Sequence, residues 1–578
     1  MDASSVPATP EPWRRRIWHT MLYGRGVDRA VKSRARIGLA ILIFTVGYAV
    51  IAGRLAMFAM VDNGTARRSY TADAVATARP DILDRKGEIL AIDVRMPSLF
   101  GEPHRIIDVD EAVELLTAVV PDLDAVEARE RLSSKRRFVW LKREITAKQR
   151  ADIHRLGLPG IGFMHENKRV YPNGAQVSHL IGHVNVDNQG IAGIEKWLDG
   201  SGLADLQMAG LARDRLQKPV ELAVDLRVQH AMRDELIKAQ VKFKAKAAAG
   251  LVIDVRTGEI AAMVSYPDYD PNNPREALDP TRINRLTTGV FEMGSTFKAL
   301  TVAMALDSGK FNLNSMIDAR AALRYGRFTI HDYHAQRRML SLPEVFTYSS
   351  NIGTARMALA LGVEHHKRFL RKLGQLDRLR TELPESAEPL VPKRWGELNT
   401  VTIAFGHGLS VAPLQAMMAI SALMNGGYLI PPTFRKRSME EAMSLATRVI
   451  KPETSEKMRY LMRLNAEKGT ARKADVEGFY IGGKTGTSEK VVNGRYAKNK
   501  LLNSFTAVLP ADKPQYMLLV MLDEPQAVPG THGYATAGWN AAPTAGAIIA
   551  RIAPLLGVPP RFEPPTADKL ILASAQRR

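Results

Sequence analysis

Three short motifs follow one another along this chain, and their residue types are those that an acyl-transfer site needs. A hydroxyl nucleophile requires a base to take its proton, a relay to return that proton, and a cationic, amide-rich wall to hold an anionic substrate. Each motif supplies one of these parts. The motifs are Ser295-Thr296-Phe297-Lys298, Ser349-Ser350-Asn351 and Lys484-Thr485-Gly486-Thr487.

The first motif predicts the nucleophile and its base. Ser295 and Lys298 lie three residues apart at the expected start of a helix, so the lysine amine can reach the serine hydroxyl on the same face. Free amides at the helix N-terminus would stabilise the oxyanion that forms after attack. As a base Lys298 must be neutral, and we expect burial and a second cation, Lys484, to lower its pKa by about 3 units. Because about two Ser-x-x-Lys tetrapeptides occur by chance in a chain this long, this motif indicates chemistry only together with the others.

The second motif predicts the return of the proton. Ser349 offers a hydroxyl that can carry a proton to the leaving amine, and the amide of Asn351 can bond the backbone of a substrate. On its own, the motif fits a local turn equally well.

The third motif predicts substrate binding along a strand. Lys484 supplies positive charge, and Thr485 and Thr487 offer hydroxyls to a carboxylate. Gly486 would let an extended peptide lie against the strand edge. The amide of Thr487 is the expected second oxyanion donor beside that of Ser295.

Two further segments admit more than one interpretation. His331-Asp332-Tyr333-His334 places two histidines where they could share a metal ion, but no third ligand is evident and no reaction step needs one. We therefore expect a structural or substrate-edge loop, and neither a metal nor a cofactor. The basic segment 489–503 is expected to connect two strands beside the site, where its charge either guides an acidic substrate or is simply solvated.

Composition limits the class of protein and its partners. The net charge of +20 implies an anionic neighbour, but no zinc finger, RNA-binding signature or basic helix supports nucleic acid. Residues 1–36 hold eight basic and three acidic residues, and the remaining surplus of charge fits a solvated basic surface. Cysteine is absent, which excludes disulfides, thiolate catalysis and cysteine metal sites.

An apolar segment near the N-terminus predicts a membrane anchor. Residues 37–53 carry no formal charge, and with the apolar residues after Arg54 they predict one transmembrane helix over 37–60, about 36 Å long. The basic flank lies before it, so residues 1–36 are expected in the cytoplasm and the rest outside, with the helix in contact with membrane lipid. A cleavable signal peptide fits less well because the apolar run is too long. A buried core helix disagrees with the one-sided charge.

Beyond the anchor, the pattern predicts an α+β architecture in which helices cover an antiparallel sheet. Residues 61–220 form a mixed region without a catalytic set, residues 221–560 carry the three motifs, and 561–578 form a flexible tail. The expected strands are 251–255 and 260–265, as a hairpin, and 480–488, 504–509 and 517–523, around the third motif. The expected helices run from about Phe297 to Gly309, over 413–424, and over 543–552, ending before Pro554.

With these motifs the chain resembles class B penicillin-binding proteins, from the anchor to about residue 560. AFGHGLSVAPLQ (404–415) and the HDYH loop are more similar to the division-specific transpeptidases than to their elongation counterparts. Pro80 stands where the family usually has glycine. The resemblance implies an N-terminal transmembrane helix, an elongated non-catalytic pedestal that resembles a dimerisation domain, and a penicillin-binding transpeptidase domain. The other similar segments are NRLTTGVFEMGSTFK (284–298), ARPDILDRKGEILA (78–91), RVYPNGAQVSHLIGHV (169–184) and DNQGIAGIE (187–195).

The resemblance also implies a substrate and partners. Ser295 would attack the penultimate carbonyl of a D-alanyl-D-alanine stem peptide of peptidoglycan, release D-alanine and pass the acyl group to an amine on a neighbouring stem. β-Lactams would acylate the same serine. Because no segment resembles a glycosyltransferase, the implied partners in the inner membrane are a SEDS-type glycan polymerase and other division proteins. The alternatives are an elongation-specific transpeptidase, a D,D-carboxypeptidase or β-lactamase, and a division scaffold without catalysis.

Overall fold

The computed structural model describes residues 29–60, 78–200, 218–326, 328–492, 494–563 and 567. The chain divides into two compact units, Met1–Val75 and Ala76–Arg578. The first unit contains helix α1 (Arg29–Met60), whose segment Ile37–Arg54 has a mean hydropathy of 1.9 and is long and apolar enough to cross a membrane. The predicted transmembrane segment therefore lies within one continuous helix. Most of the predicted basic tail and of the predicted C-terminal tail lies outside the described residues.

The pedestal at the start of the second unit is organised around one long strand, β2. This strand pairs antiparallel with β4 along Ile92–Gly101, and it also lies between β3 and β1 in the sheet. Strand β7 pairs parallel with β1 and closes a five-stranded sheet. The strands are β1 (Ile82–Leu83), β2 (Ile89–Gly101), β3 (Val139–Lys142), β4 (Ile161–Val170), β5 (His183–Val184), β6 (Gly190–Ala192) and β7 (Val220–Glu221). The helices are α2 (Val109–Val119), α3 (Ala125–Leu132), α4 (Ala147–Leu156), α5 (Ser178–Ile181) and α6 (Gly193–Leu198).

A buried ionic cluster joins the three pedestal segments that carry the family resemblance. Glu195 accepts from Arg79 Nε at 2.8 Å and from Arg169 Nε at 2.6 Å. Arg169 also contacts Asp93 at 3.1 Å. Because a buried charge that loses its partner is very costly, these contacts require the three segments to fold against one another. The sequence analysis had given these charged residues no role.

The catalytic part is built on a second sheet of five antiparallel strands in the order β16-β17-β18-β8-β9. The predicted hairpin and the three predicted strands around the third motif are confirmed. The strands are β8 (Ala247–Asp254), β9 (Ile260–Tyr266), β16 (Gly482–Val492), β17 (Arg495–Leu509) and β18 (Tyr516–Asp523).

The prediction for residues 489–503 was wrong in one respect. Apart from Asn493, which lies outside the described residues, this segment is mostly strand, because β16 and β17 continue as a long hairpin. Lys490 ties the hairpin to the end of β18 through Asp523 and Glu524, each at 2.8 Å. These ion pairs use charge that the sequence analysis had assigned to substrate guidance or to solvent.

Helices cover both faces of the catalytic sheet, because successive side chains along a strand point to opposite sides. Leu251 and Leu519 belong to the core cluster shared with α8, α13 and α15, whereas Val252 and Leu518 belong to the cluster shared with α7 and α16. The helices are α7 (Leu226–Lys242), α8 (Lys298–Asp307), α9 (Leu342–Thr347), α10 (Asn351–Leu361), α11 (Val363–Lys372), α12 (Glu397–Ala404), α13 (Pro413–Met424), α14 (Met439–Leu445), α15 (Pro452–Lys468) and α16 (Ala541–Leu555).

Two of the predicted helices have different ends. A 3₁₀ turn, Gly294–Phe297, precedes α8, so Ser295 lies before the α-helix and Lys298 opens it. Helix α16 continues through Pro554 to Leu555, so it does not end before this proline as expected. Short strands complete the fold: β10 (Met316–Asp318), β11 (Leu323–Tyr325), β12 (Phe328–Ile330), β13 (Met339–Ser341), β14 (Tyr428–Leu429) and β15 (Thr447–Arg448).

Candidate active site

The turn that carries Ser295 is held by two close backbone approaches. Gly294 has φ +55°, and a Cβ there would lie 2.9 Å from the carbonyl oxygen of Thr487. On the other side, Gly406 has φ +92°, and its Cβ would lie 1.9 Å from the carbonyl oxygen of Gly294. Gly294 N also donates to Gly406 O at 3.1 Å. Ser295 therefore sits between strand β16 and the turn at Gly406, where no side chain could replace either glycine.

The hydroxyl of Ser349 is the atom on which the two motif lysines converge. Lys298 Nζ donates to Ser349 Oγ at 3.0 Å and also to the carbonyl of Ser349. Lys484 Nζ donates to the same Oγ at 2.9 Å. Ser349 has φ +57°, a backbone conformation that is costly for serine and that persists only where the surroundings enforce it. The structure thus brings residues from all three motifs together, although Ser349 and Lys484 are 135 residues apart.

The contact expected between Lys298 and Ser295 takes a different form. In the part of the chain that the structure describes, Lys298 Nζ is hydrogen-bonded to Ser349 and not to Ser295 Oγ. The 3₁₀ turn before α8 changes the local geometry on which the expectation of a helical i, i+3 contact rested. Both residues belong to one short stretch of chain, which comprises the 3₁₀ turn Gly294–Phe297 and the first residue of α8.

Burial lowers the pKa of Lys298 to about 7, and the nearby carboxylate of Asp332 acts in the opposite direction. The pKa of Lys484 is also held well below its ordinary value, first by burial and then by the charge of Lys298. The influence expected between the two lysines therefore runs the other way: the charge of Lys298 lowers the pKa of Lys484, whereas the pKa of Lys298 is lowered by burial. Both side chains are almost completely buried, at 1% and 0% exposed. Repulsion between two buried ammonium groups beside one hydroxyl favours a neutral form of at least one of the two lysines.

The HDYH loop supports the second motif. Asp332 accepts from Ser350 Oγ at 2.7 Å and from the backbone amide of Ile352 at 2.9 Å, which caps the start of α10. Asn351 Nδ2 donates to the carbonyl of His331 at 2.9 Å. In the described parts of the chain, no three His, Asp or Glu side chains are grouped as a metal site would need. Sequence reasoning had not linked Asp332 to this motif, since 18 residues separate it from Ser350.

The third motif lies on β16, which is the edge strand of the catalytic sheet. Thr485 Oγ1 is hydrogen-bonded to Thr470 Oγ1 at 2.8 Å, and Thr487 Oγ1 accepts from the amide of Ala537 at 3.1 Å. The sequence analysis had expected Gly486 to make room for a peptide. A Cβ at Gly486 would instead lie 2.4 Å from the hydroxyl of Ser504, on the neighbouring strand, and 2.7 Å from the carbonyl of Met293.

Sequence reasoning missed Glu292, which lies three residues before Ser295. Its Oε1 accepts from Gly408 N at 2.7 Å and from Tyr496 Oη at 3.1 Å, so it joins the serine turn to the β16–β17 hairpin. Burial raises the pKa of Glu292, and the two hydrogen bonds oppose that shift. His407 lies beside it, with its ring 5.7 Å from that of Tyr496. The only sequence signal was their position inside the two segments that carry the resemblance.

Comparison with known families gives two matches in chain order. Residues 74–199 match the penicillin-binding protein dimerisation domain, and residues 248–550 match the penicillin-binding protein transpeptidase domain.

Curated relatives match over most of their length. "Probable peptidoglycan D,D-transpeptidase FtsI" of Caulobacter vibrioides is 38% identical over 577 residues, which are 95% of this chain and 95% of that protein. "Peptidoglycan D,D-transpeptidase FtsI" of Escherichia coli is 32% identical and covers 85% of this chain and 86% of its own length. "Probable peptidoglycan D,D-transpeptidase PenA" of Neisseria gonorrhoeae is also 32% identical, with 92% and 95% covered.

A solved structure supports the fold independently. A peptidoglycan synthetase from Bifidobacterium adolescentis superposes with a TM-score of 0.66, over 85% of this chain and 98% of that one. The sequences are 23% identical, so the likeness concerns the fold alone.

Proposed function

We propose that this chain, which belongs to the class B penicillin-binding proteins and is FtsI-like, is a serine D,D-transpeptidase that cross-links peptidoglycan stem peptides. The observation that carries the proposal is the convergence of Lys298 and Lys484 on Ser349 Oγ beside the turn of Ser295. This arrangement provides a base with a lowered pKa, a hydroxyl relay and a second lysine amine around one nucleophile.

Acylation would begin with proton transfer from Ser295 to Lys298. Ser295 Oγ would form a bond to the carbonyl carbon of the penultimate D-alanine, and the backbone amides of Ser295 and Thr487 would hold the oxyanion. The bond to the terminal D-alanine nitrogen would then break, with the proton returning from Lys298 through Ser349 to that nitrogen. The product is an ester on Ser295 and free D-alanine.

Deacylation would reverse these proton transfers. The amine of a second stem peptide would attack the ester carbonyl and pass a proton through Ser349 to Lys298. The ester bond to Ser295 Oγ would then break, and Lys298 would return that proton to Ser295 Oγ. A new amide, the crosslink, would form. Lys484, Thr485 and Thr487 would bind the terminal carboxylate of the donor peptide, and Asn351 would bind its backbone. A β-lactam would acylate Ser295 by the first half of the same sequence.

Labelling with a fluorescent penicillin tests the proposal. The full chain should take up the label covalently, and Ser295→Ala should take up none. Ser308→Ala is a matched control, because Ser308 lies just after α8 and its hydroxyl bonds only nearby backbone, the carbonyl of Ala305 and the amide of Lys310. A folded wild-type chain that stays unlabelled, or a labelled Ser295→Ala variant, would refute the nucleophile assignment.

We further propose that α1 anchors the enzyme in the inner membrane, with residues 1–36 cytoplasmic and the catalytic part in the periplasm. The surplus of basic residues before the apolar segment supports this orientation. We also propose that residues 61–220 form the pedestal and residues 221–560 the transpeptidase domain. A protease added to intact spheroplasts should digest the catalytic part; protection of that part would reverse the topology.

The names of the relatives support a role in septal wall synthesis, beside a SEDS-type glycan polymerase and other division proteins. Depletion of the protein should produce filamentous cells, because septation would stop while elongation continues. Rounded cells would indicate the elongation-specific alternative. Release of D-alanine without crosslinked product, in an assay with purified polymerised glycan, would indicate a D,D-carboxypeptidase.

A further inference from the structure

On the outer edge of β16, the backbone groups of every second residue point away from β17. In an antiparallel strand the amide and carbonyl of one residue point to the same side, and the side alternates along the chain. Gly483 O points away from β17 because it accepts from Asn465 Nδ2 at 2.7 Å. Thr485 and Thr487 share this parity, and Thr485 O accepts from Lys484 Nζ at 3.0 Å. Gly483, Thr485 and Thr487 therefore form one outward row, which we call the edge row.

Asn465 holds the upstream end of the edge row. It lies on α15, is completely buried, and uses its side chain in both directions. While Nδ2 donates to Gly483 O, Oδ1 accepts from the amide of Thr470 at 3.0 Å. A Cβ at Gly469 would lie 2.0 Å from Oδ1, so the chain leaves α15 through the one residue type that can pass the asparagine.

Thr470 carries this constraint to the substrate side. Its Oγ1 is 2.8 Å from Thr485 Oγ1 and 3.4 Å from Asn465 Oδ1. In the structure Thr485 donates to Thr470, and Thr470 donates to Asn465 Oδ1. When the hydroxyl of Thr485 turns to an anion, the hydroxyl of Thr470 can rotate and donate to Thr485 Oγ1 instead, which makes Thr485 a better donor. Asn465 thus fixes both the backbone of β16 at Gly483 and the position of Thr470, whose hydroxyl lies beside that of Thr485.

We propose that Asn465 is a positioning residue for carboxylate recognition. It holds Gly483 and Thr470 so that Thr485 presents its hydroxyl to the terminal carboxylate of the donor peptide, without itself touching the substrate. The inference rests on the proposed function, since it assigns how that site selects substrates with a free carboxylate. Its consequence is selectivity: loss of Asn465 should weaken acylation by donors that carry the carboxylate more than acylation by donors that lack it.

The test compares benzylpenicillin with its methyl ester as acylating agents of the full chain. Asn465→Leu keeps a similar volume and removes both hydrogen bonds. It should lower the second-order acylation constant for benzylpenicillin by about 10- to 100-fold, mainly through weaker non-covalent binding, and that for the ester by less than about threefold. Thr470→Val, which breaks the link downstream, should give the same selective loss, and Thr470→Ser should restore most of it.

A matched control separates positioning from general destabilisation. Asn425 also donates to two backbone carbonyls, of Val255 and Tyr428, each at 2.8 Å. Asn425→Leu should leave the ratio between benzylpenicillin and its ester unchanged. An unchanged ratio in Asn465→Leu, or in Thr470→Val if the first variant does not fold, would overturn the inference. Absence of Ser295-dependent acylation in the wild type would instead overturn the proposed function.

Discussion

The pKa of Lys298 predicts how acylation depends on pH. Burial lowers this pKa from 10.5 to about 7, a difference worth about 5 kcal/mol between the charged and neutral forms. At pH 7.4 about two thirds of the molecules would hold a neutral lysine, against about one in a thousand for an ordinary lysine. Since the proton-accepting form is the neutral one, the acylation constant for a penicillin should rise with pH, reach half its maximum near pH 7, and level off above pH 8.

A single substitution changes this profile in a known direction. The carboxylate of Asp332 raises the pKa of Lys298, so Asp332→Asn should shift the midpoint of the profile to lower pH, by up to about one unit. Asparagine can keep a hydrogen bond to Ile352 N, which limits the damage to α10. Stopped-flow measurement of acylation between pH 5.5 and 9.5 gives both midpoints. A wild-type profile that keeps rising to pH 10, or a variant midpoint at higher pH, would refute the assignment of Lys298 as the buried base.

Three further predictions concern stability. Lys298→Met should abolish acylation yet raise the free energy of unfolding by about 1 kcal/mol or more at pH 6, because the folded chain no longer has to bury a charge below pH 7. This gain, measured by urea unfolding, should shrink as pH approaches 10, and a gain that grows with pH would contradict a lowered pKa of Lys298 in the folded chain. Gly406→Ala should lower the melting temperature and the rate of penicillin labelling together, since its Cβ would lie 1.9 Å from Gly294 O; normal labelling would show that the serine turn tolerates displacement. Arg169→Met should lower the free energy of unfolding by about 3–5 kcal/mol, because Glu195 loses one of its two partners. Arg105→Met, which removes an exposed ion pair, should lower it by under about 1 kcal/mol in the same urea unfolding assay. Equal losses in the two variants would mean that the buried cluster does not stabilise the fold.

Periodic and motif-bearing segments were predictable from the sequence because their pattern is local. The hairpin of β8 and β9 and the helix over 413–424 follow from continuous apolar runs that are bounded by glycine or proline. The extent of β16 and β17 was not predictable. Their outer halves are polar, and the contacts of Lys490 with Asp523 and Glu524 join residues more than 30 positions apart.

The candidate site shows the same limit. Residue type and order were enough to select Ser295, Lys298 and Ser349, but only the fold shows that Lys298 bonds Ser349. Glu292 and Asn465 have no distinctive local signal, since a single glutamate or asparagine occurs in many helices and turns. Their contacts depend on how distant segments pack, which periodicity and motif spacing do not encode.

The edge row has a consequence for the solution behaviour of the protein. An open sheet edge invites strands from other molecules, and proteins usually protect such edges. Here Asn465 occupies the upstream end at Gly483, and the serine turn approaches the carbonyl of Thr487 at the downstream end. Only a gap of a few residues is left between them, long enough for the tail of a short peptide but too short to template a full strand. The same crowding that shapes the site thus limits the pairing of other strands with the edge between Gly483 and Thr487, whereas the rest of β16, to Val492, lies beyond it.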